Sequence, residues 1–486
     1  MTDRSDQTRL TANELRSLVT QATGVPPQIQ ATFRILWRAH PTDPSAACLT
    51  VGMPRLRSDC PHDAFRGRLI WWPDGLTELR RVAIMSSRLG ARLDQHQWWF
   101  DLLRTAVLRI NVCDECVVAV EDTAPHGATM RAAEVFGIPR LNISVDDHDV
   151  GPEQLVTWLT NRMEDRQSSW TDVRTSQWQA LVSPCLHYTN KAAQTDHARV
   201  APLQDRCAVA ASERSYVLSC RSGGHVHQLL HDSLKSGSDS PLILYLGNGS
   251  GTSDETAREL ISAGAIPWLV AGISTASVFA ARRTATTPSA VVIADGPLVQ
   301  PEGWLCHWTR PRTGPWPGQP VTEFLDELLL GCESADRSAL AALLQIIARG
   351  AVYASVVRGE HRAVSFTEVP LSEFRRRRVY RRHRKRYDFE PWGVAVRRSS
   401  LERLGARPVQ YGDRTEPSST QNSVWFQPTT DQLGHIDWRQ EQEWRLAQDL
   451  QLQELPTSAV FLFVDSSHEA DVVGAQTDWP MVVVPD

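Results

Sequence analysis

Two stretches of this sequence, residues 81–144 and 216–270, alternate short apolar runs with longer segments of helical periodicity. In the first, Val82-Ala-Ile-Met85 and residues 116–120 and 139–144 read as strands, with helices expected around 97–108 and 129–136. In the second, Tyr216-Val-Leu-Ser219, Leu242-Ile-Leu-Tyr-Leu246 and residues 266–270 read as strands, with helices over 225–235 and 252–263. A strand followed by a helix cannot close a hairpin onto the next strand, so this order predicts parallel sheets crossed by helices.

The two stretches also share local chemistry. A strand leads into Glu121-Asp-Thr-Ala-Pro-His-Gly127-Ala-Thr129 in the first and into Gly247-Asn-Gly249-Ser-Gly251-Thr252 in the second. Their helices close with Gly137-Ile-Pro139 and Gly264-Ala-Ile-Pro267. The expected fold class is α/β, with two Rossmann-like parallel-sheet units followed by an α+β carboxy-terminal domain. The boundaries follow: an entry module over 1–80, the first unit over 81–164, a bridging segment over 165–214 and the second unit over 215–308. A Pro/Gly-rich linker over 309–320 and the α+β domain over 321–486 complete the chain.

At 486 residues the chain exceeds what one hydrophobic core supports, which agrees with several domains. It is 42% hydrophobic and 22% charged, a globular composition, and its net charge of -5 selects no partner. No apolar run reaches the roughly 18 residues of a spanning helix, so no membrane association and a cytoplasmic location are expected. The nine cysteines are scattered, which favours reduced thiols. Cys113-Asp-Glu-Cys116 lacks a second metal-binding pair and runs into an apolar strand, so it reads as strand entry. No motif names a cofactor.

The loop from Gly247 through Gly249 and Gly251 to Thr252 lies between a strand and a helix, where backbone amides can hold a phosphate. It lacks the lysine of a P-loop and the spacing of the dinucleotide fingerprint, so phosphate binding and simple turn geometry both remain open. Gly127 and Thr129 occupy the corresponding place in the first unit and favour a nucleotide-type ligand. The amino-terminal half resembles the SLOG superfamily of nucleotide-sensing Rossmann-like domains, through Val82-Ala-Ile-Met-Ser-Ser-Arg88 and Ala132-Ala-Glu-Val-Phe-Gly-Ile-Pro139. The family's glycine pair after the first strand is replaced here by Ser86-Ser-Arg-Leu-Gly90.

The carboxy-terminal part carries an arginine run from Arg375 to Arg386, and the window 365–414 has a net charge of +8. Arg375, Arg378, Arg381, His383 and Arg384, with Trp392 beside them, are candidates for binding a phosphorylated ligand or, through residues 375–386, nucleic acid. Tyr380, Tyr387 and Phe389 could add stacking surfaces.

Further on, Glu441, Glu443 and Arg445 would share one face if extended. Either they form a structural ion pair, or one carboxylate acts as base or electrostatic stabiliser opposite arginines gripping a phosphate. Glu368 and Glu390 are further candidates. A nucleotidyl or ADP-ribosyl transferase would need Glu441 or Glu443 in the same cleft as such arginines.

Ser365-Phe-Thr-Glu-Val-Pro-Leu371, Trp392-Gly-Val-Ala-Val396, Gly405-Ala-Arg-Pro-Val409 and Glu441-Gln-Glu-Trp-Arg445 resemble the AbiGi type of abortive-infection protein. That resemblance implies a role in phage defence or a toxin-antitoxin pair, without a reaction. A non-enzymatic nucleic-acid-binding module and a ligand-free structural protein are the alternatives.

Overall fold

The computed structural model describes residues 35–40, 43–51, 69–71, 76, 79–150, 154, 157–158, 171–172, 177–186, 201–235, 242–249, 251–270, 303–381, 386–412, 423–430 and 437–484. The chain divides into two compact units, Met1–Val278 with Thr322–Ala335, and Phe279–Val321 with Asp336–Asp486.

The first unit is built on one large sheet. Its strands, in chain order, are β1 (Ile35–His40), β2 (Asp43–Val51), β3 (Leu69–Trp71), β4 (Arg80–Ser86), β5 (Glu115–Val120), β6 (Arg140–Val145), β7 (Gln177–Val182), β8 (Arg214–Ser219), β9 (Ile243–Gly247) and β10 (Ile266–Trp268). Across the sheet they run β1-β2-β3-β7-β6-β5-β4-β8-β9-β10, and the seven strands from β7 to β10 are mutually parallel.

The helices α1 (Gln97–Leu108), α2 (His126–Val135), α3 (Leu203–Ala210), α4 (His225–Lys235) and α5 (Asp254–Ser262) link these strands. Both Rossmann-like halves therefore share a single sheet, joined by their first strands β4 and β8. The strand order reverses at that joint, the arrangement that in open α/β sheets places a crevice beyond the carboxyl ends of the two central strands.

Burial explains the sequence pattern. β5 is buried along its whole length, as a parallel strand covered on both faces must be. The two closures, Gly137-Ile-Pro139 and Gly264-Ala-Ile-Pro267, act alike: Gly137 and Gly264 take positive φ, and the next amides, of Ile138 and Ala265, reach back to the Ala133 and Leu260 carbonyls. At the amino ends of the strands, Arg81 is only 1% exposed; it donates to the Ala211 carbonyl at 2.6 Å and pairs with Glu213. Arg214 pairs with buried Glu115 at 2.6 Å. These two bonds stitch β4, β5 and β8 together.

The second unit holds an eight-stranded mixed sheet. Its elements, in chain order, include β11 (Trp304–Trp308), α7 (Ala339–Arg349), β12 (His361–Thr367), β13 (Gly393–Arg397), β14 (Arg407–Pro408), β15 (Glu443–Leu446), β16 (Val460–Val464), α8 (Ser467–Gly474) and β17 (Met481–Val483). α6 (Val321–Leu330) falls within the first unit, where Asp326 takes a bidentate bond from Arg131 at 2.6 Å and Leu328 accepts from Gln97.

The strand order is β14-β15-β12-β11-β13-β16-β17. One face packs Leu305, Phe366, Val394 and Leu462 against Leu340, Leu343 and Ile347 of α7. The other buries Trp304, Trp308, Phe389, Phe461 and Phe463. Thus Trp304–Trp308, expected to end the second parallel unit, is a central strand here. The Pro/Gly-rich residues 309–320, expected as a linker, continue from it without regular structure: Thr309 donates its amide to the Trp392 carbonyl, Arg312 donates to that of Arg337, and Trp316 is buried.

The glycine-rich loop after β9 is packed tightly. A Cβ at Gly249 would lie 2.4 Å from the Trp98 ring, and one at Gly251 would lie 2.4 Å from that ring and 2.5 Å from Ser219 Oγ. Gly249→Ala is therefore expected to destabilise the protein by about 1–3 kcal/mol through overpacking, read as a lowered Tm with unchanged far-UV circular dichroism. An unchanged Tm would show that Trp98 can withdraw.

Candidate functional site

A cleft of about 630 Å3 opens in the second unit where β11 and β12 part. The two strands are joined through one paired position, Cys306 opposite Thr367. Residues of both strands line the cleft, together with α7, the irregular stretch after β11, and the turn that leads into β15.

One side is basic. Arg310, Arg312 and Arg349 line the cleft, and none of them lies within ion-pair distance of a carboxylate among the described residues. Arg312 Nε donates to the Pro315 carbonyl at 2.6 Å, and Arg349 donates to that of Pro317 at 2.7 Å with its guanidinium over the Tyr353 ring. Burial first, then repulsion from Arg337 and Arg349, lowers the Arg312 pKa below its ordinary value. Three cations gathered with carbonyls but no carboxylate make a site of unsatisfied positive potential. Trp316, only 7% exposed, lines this side, stacks on Arg337, and keeps its indole N–H without an acceptor.

Asp388, Glu441, Glu443, Arg445 and His307 also line the cleft. Asp437 caps a short turn, Trp438–Glu441, by accepting from the Arg439 amide. Gln442 then adopts a left-handed conformation, φ 46°, before β15 begins at Glu443. A side chain other than glycine is strained there. Two contacts hold it: Thr367 Oγ1 donates to the Glu441 carbonyl, and the Glu368 amide donates to that of Gln442. The expected single extended face thus begins only at Glu443. Glu441 reaches the same cleft from the turn.

Arg445 is 3% exposed and all five of its N–H groups are engaged. Nε and one terminal nitrogen grip both oxygens of Glu443 at 2.9 Å; the remaining donors reach the Val424 and Phe426 carbonyls and Gln427 Oε1. Burial pushes the Tyr411 hydroxyl pKa up, and that hydroxyl accepts from the Glu443 amide.

His307 donates from Nδ1 to the Ser365 carbonyl at 2.9 Å and stands edge-on to Phe366. Desolvation pulls its pKa down to about 4, with Arg310 adding repulsion against the opposing pull of the Ser365 bond. The ring is neutral at pH 7.

The other candidates lie elsewhere. Arg378 pairs with Glu390 at 2.8 Å and covers the Tyr387 ring at 3.9 Å. Arg377, which sequence reasoning did not single out, pairs with Glu373. The run folds as a turn, Phe374–Arg377, and a two-stranded ribbon, Tyr380–Arg381 with Arg386–Tyr387. His383, Arg384 and the side chains of Arg375 and Arg381 lie outside the described residues. Trp392 donates to Glu469 at 2.9 Å and Glu368 pairs with Arg398, so neither lines the cleft.

In the first unit, Ser219 donates to the Gly251 carbonyl, and Thr252 Oγ1 accepts from the Cys220 amide at 2.9 Å. Gly247 packs on Leu102. In the corresponding earlier loop Gly127 meets nothing within 4 Å, while Thr129 Oγ1 is buried without an acceptor or donor. Beside them His126, Asn142 and Glu121 form a hydrogen-bonded chain. Cys116 is a buried strand residue, its thiol pushed up to about 12 by burial, and no cluster among the described residues could hold a metal.

Sequence reasoning missed His307, Arg310, Arg312 and Arg349. The three upstream of α7 sit in what reads as the end of one domain and a linker.

No protein-family model matches the sequence, and no curated protein matches it. Among solved structures, the X-ray structure of DNA processing protein A (DprA) from Streptococcus pneumoniae aligns over 44% of this chain and 67% of its own, at 14% identity and a TM-score of 0.26. That overlap is too loose to carry an argument about fold or ligand.

Two outcomes follow from this geometry. Arg445→Ala removes a buried guanidinium from the partly buried Glu443 carboxylate and two carbonyls and is expected to cost about 3 kcal/mol, measured by denaturant unfolding. The depressed His307 pKa contributes stability that is complete above its unfolded value of about 6.5 and is lost as pH falls toward about 4. His307→Gln should therefore flatten the dependence of Tm on pH within that window.

Proposed function

We propose that the second unit binds a phosphate-bearing ligand in the β11–β12 cleft. The observation that carries this reading is the set Arg310, Arg312 and Arg349, gathered at one side of the cleft without a carboxylate. Like charges gathered without a carboxylate beside them attract an oxyanion, which arginine's fork of donors grips through charge-assisted hydrogen bonds.

Glu441 and Glu443 line the same cleft, so a ligand held by its phosphate would present its remainder to them. This arrangement supports group transfer at an atom next to the phosphate, with a carboxylate as base or as stabiliser of developing positive charge. Glu441, delivered to the cleft by the Trp438–Glu441 turn, is the candidate for that work. The resemblance of residues 365–371 and 441–445 to abortive-infection proteins supplies the cellular setting, defence against phage.

A second reading has its own observation. Tyr380 and Tyr387 are exposed and packed edge-to-face on the arginine-rich ribbon, a surface suited to stacking unpaired bases.

A thermal-shift titration with nucleoside mono- and diphosphates, pyrophosphate and short oligonucleotides separates these readings. Small phosphates should raise Tm, and Arg312→Ala or Arg349→Ala should weaken their binding at least tenfold with the fold intact. Shifts confined to oligonucleotides, strongly salt-dependent and unaffected by Arg312→Ala, would move the function to the ribbon. Loss of protection against phage in Glu441→Gln, with ligand binding retained, would support an enzyme.

A further inference from the structure

We infer that the cleft's occupant is a nucleoside phosphate, with a sugar hydroxyl of the ligand donating a hydrogen bond to Nε2 of His307. This rests on the phosphate reading above and deepens it.

The tautomer is fixed by chemistry. A carbonyl oxygen can only accept, so the bond to Ser365 places the proton on Nδ1 and leaves a lone pair on Nε2. No described residue bonds that nitrogen. Arg310 lies three residues along the chain, lines the same cleft, and acts on the ring electrostatically against protonation. A neutral imidazole of this tautomer cannot donate to a bare phosphate; its free lone pair asks for a donor.

Apart from Arg310, Arg312 and Arg349, the charged groups that line the cleft offer no donor. Asp388, Glu441 and Glu443 are carboxylates, and Arg445 has no N–H left to offer a ligand. The cleft therefore offers donors at Arg310, Arg312 and Arg349 and an acceptor at His307 Nε2. A bare oxyanion satisfies only the first set. A phosphate attached to a hydroxylated sugar satisfies both, and Tyr353 and Trp438, which line the cleft, add aromatic surface for a base.

The test is calorimetric binding to the full chain, comparing a ribonucleoside 5′-diphosphate, its 2′,3′-dideoxy analogue, ribose 5-phosphate and pyrophosphate, in unsubstituted protein, His307→Phe and Arg312→Ala. The expected result is that the ribonucleotide binds roughly tenfold tighter than the dideoxy analogue. His307→Phe should erase that difference without changing pyrophosphate affinity. Should His307→Phe not fold, the ribo-to-dideoxy ratio in the unsubstituted protein decides alone.

Equal affinity for ribonucleotide and dideoxy analogue, with pyrophosphate binding still lost in Arg312→Ala, would overturn the hydroxyl contact while the anion site stands. Ribose 5-phosphate binding as tightly as the nucleotide would overturn the nucleoside assignment in favour of a sugar phosphate. Absence of binding by all four ligands would overturn the phosphate reading itself.

Discussion

One wall of the cleft in the second unit depends on the burial of one guanidinium. Arg445 sits on β15 with no water to fall back on, so its five N–H groups must all find acceptors within the protein. It finds them in Glu443, in Gln427 and in the carbonyls of Val424 and Phe426. Those bonds tie the 423–428 segment to the sheet and fix the Glu443 side chain. With that wall rigid, the left-handed turn at Gln442 can be held in its strained conformation and Glu441 delivered to the cleft beside it.

The opposite wall is held by different means. Arg312 and Arg349 are oriented by backbone carbonyls, and Arg349 also by the Tyr353 ring, contacts that fix position without neutralising charge. A carboxylate in the same place would have closed the electrostatic account and left an inert ion pair, as Glu443 does for Arg445. The contrast between an arginine neutralised by Glu443 and arginines held by carbonyls is what gives the cleft its direction. Between them His307, kept neutral by desolvation and by Arg310, bridges the gap where β11 and β12 separate.

In the first unit the corresponding constraint is the pairing of β4 with β8, reinforced by Arg81 with Glu213 and Arg214 with Glu115. It merges two similar halves into one sheet and creates a reversal of strand order. The glycines that would suit a phosphate loop there are occupied by Trp98 and Leu102. Small residues in such loops serve close approach, and the approaching group can be the protein's own indole as readily as a ligand.

Much was legible in the chain itself. The alternation of apolar runs with helical segments determined the parallel sheet, because strands buried on both faces must be apolar throughout. Gly137 and Gly264, each followed closely by Ile-Pro, determined where two helices stop, because few residues other than glycine tolerate a left-handed cap. Glu441, Glu443 and Arg445 were readable as a cluster because they lie within five residues.

Only the tertiary structure decided that the two halves share a sheet, since pairing between β4 and β8 joins strands about 130 residues apart and leaves no local trace. Likewise only the fold could assemble Arg310, Arg312 and His307 with Arg349 and Glu441. These residues come from a strand, an irregular proline-rich stretch, a helix and a turn, and no periodicity in the sequence marks side chains that meet only when a mixed sheet closes.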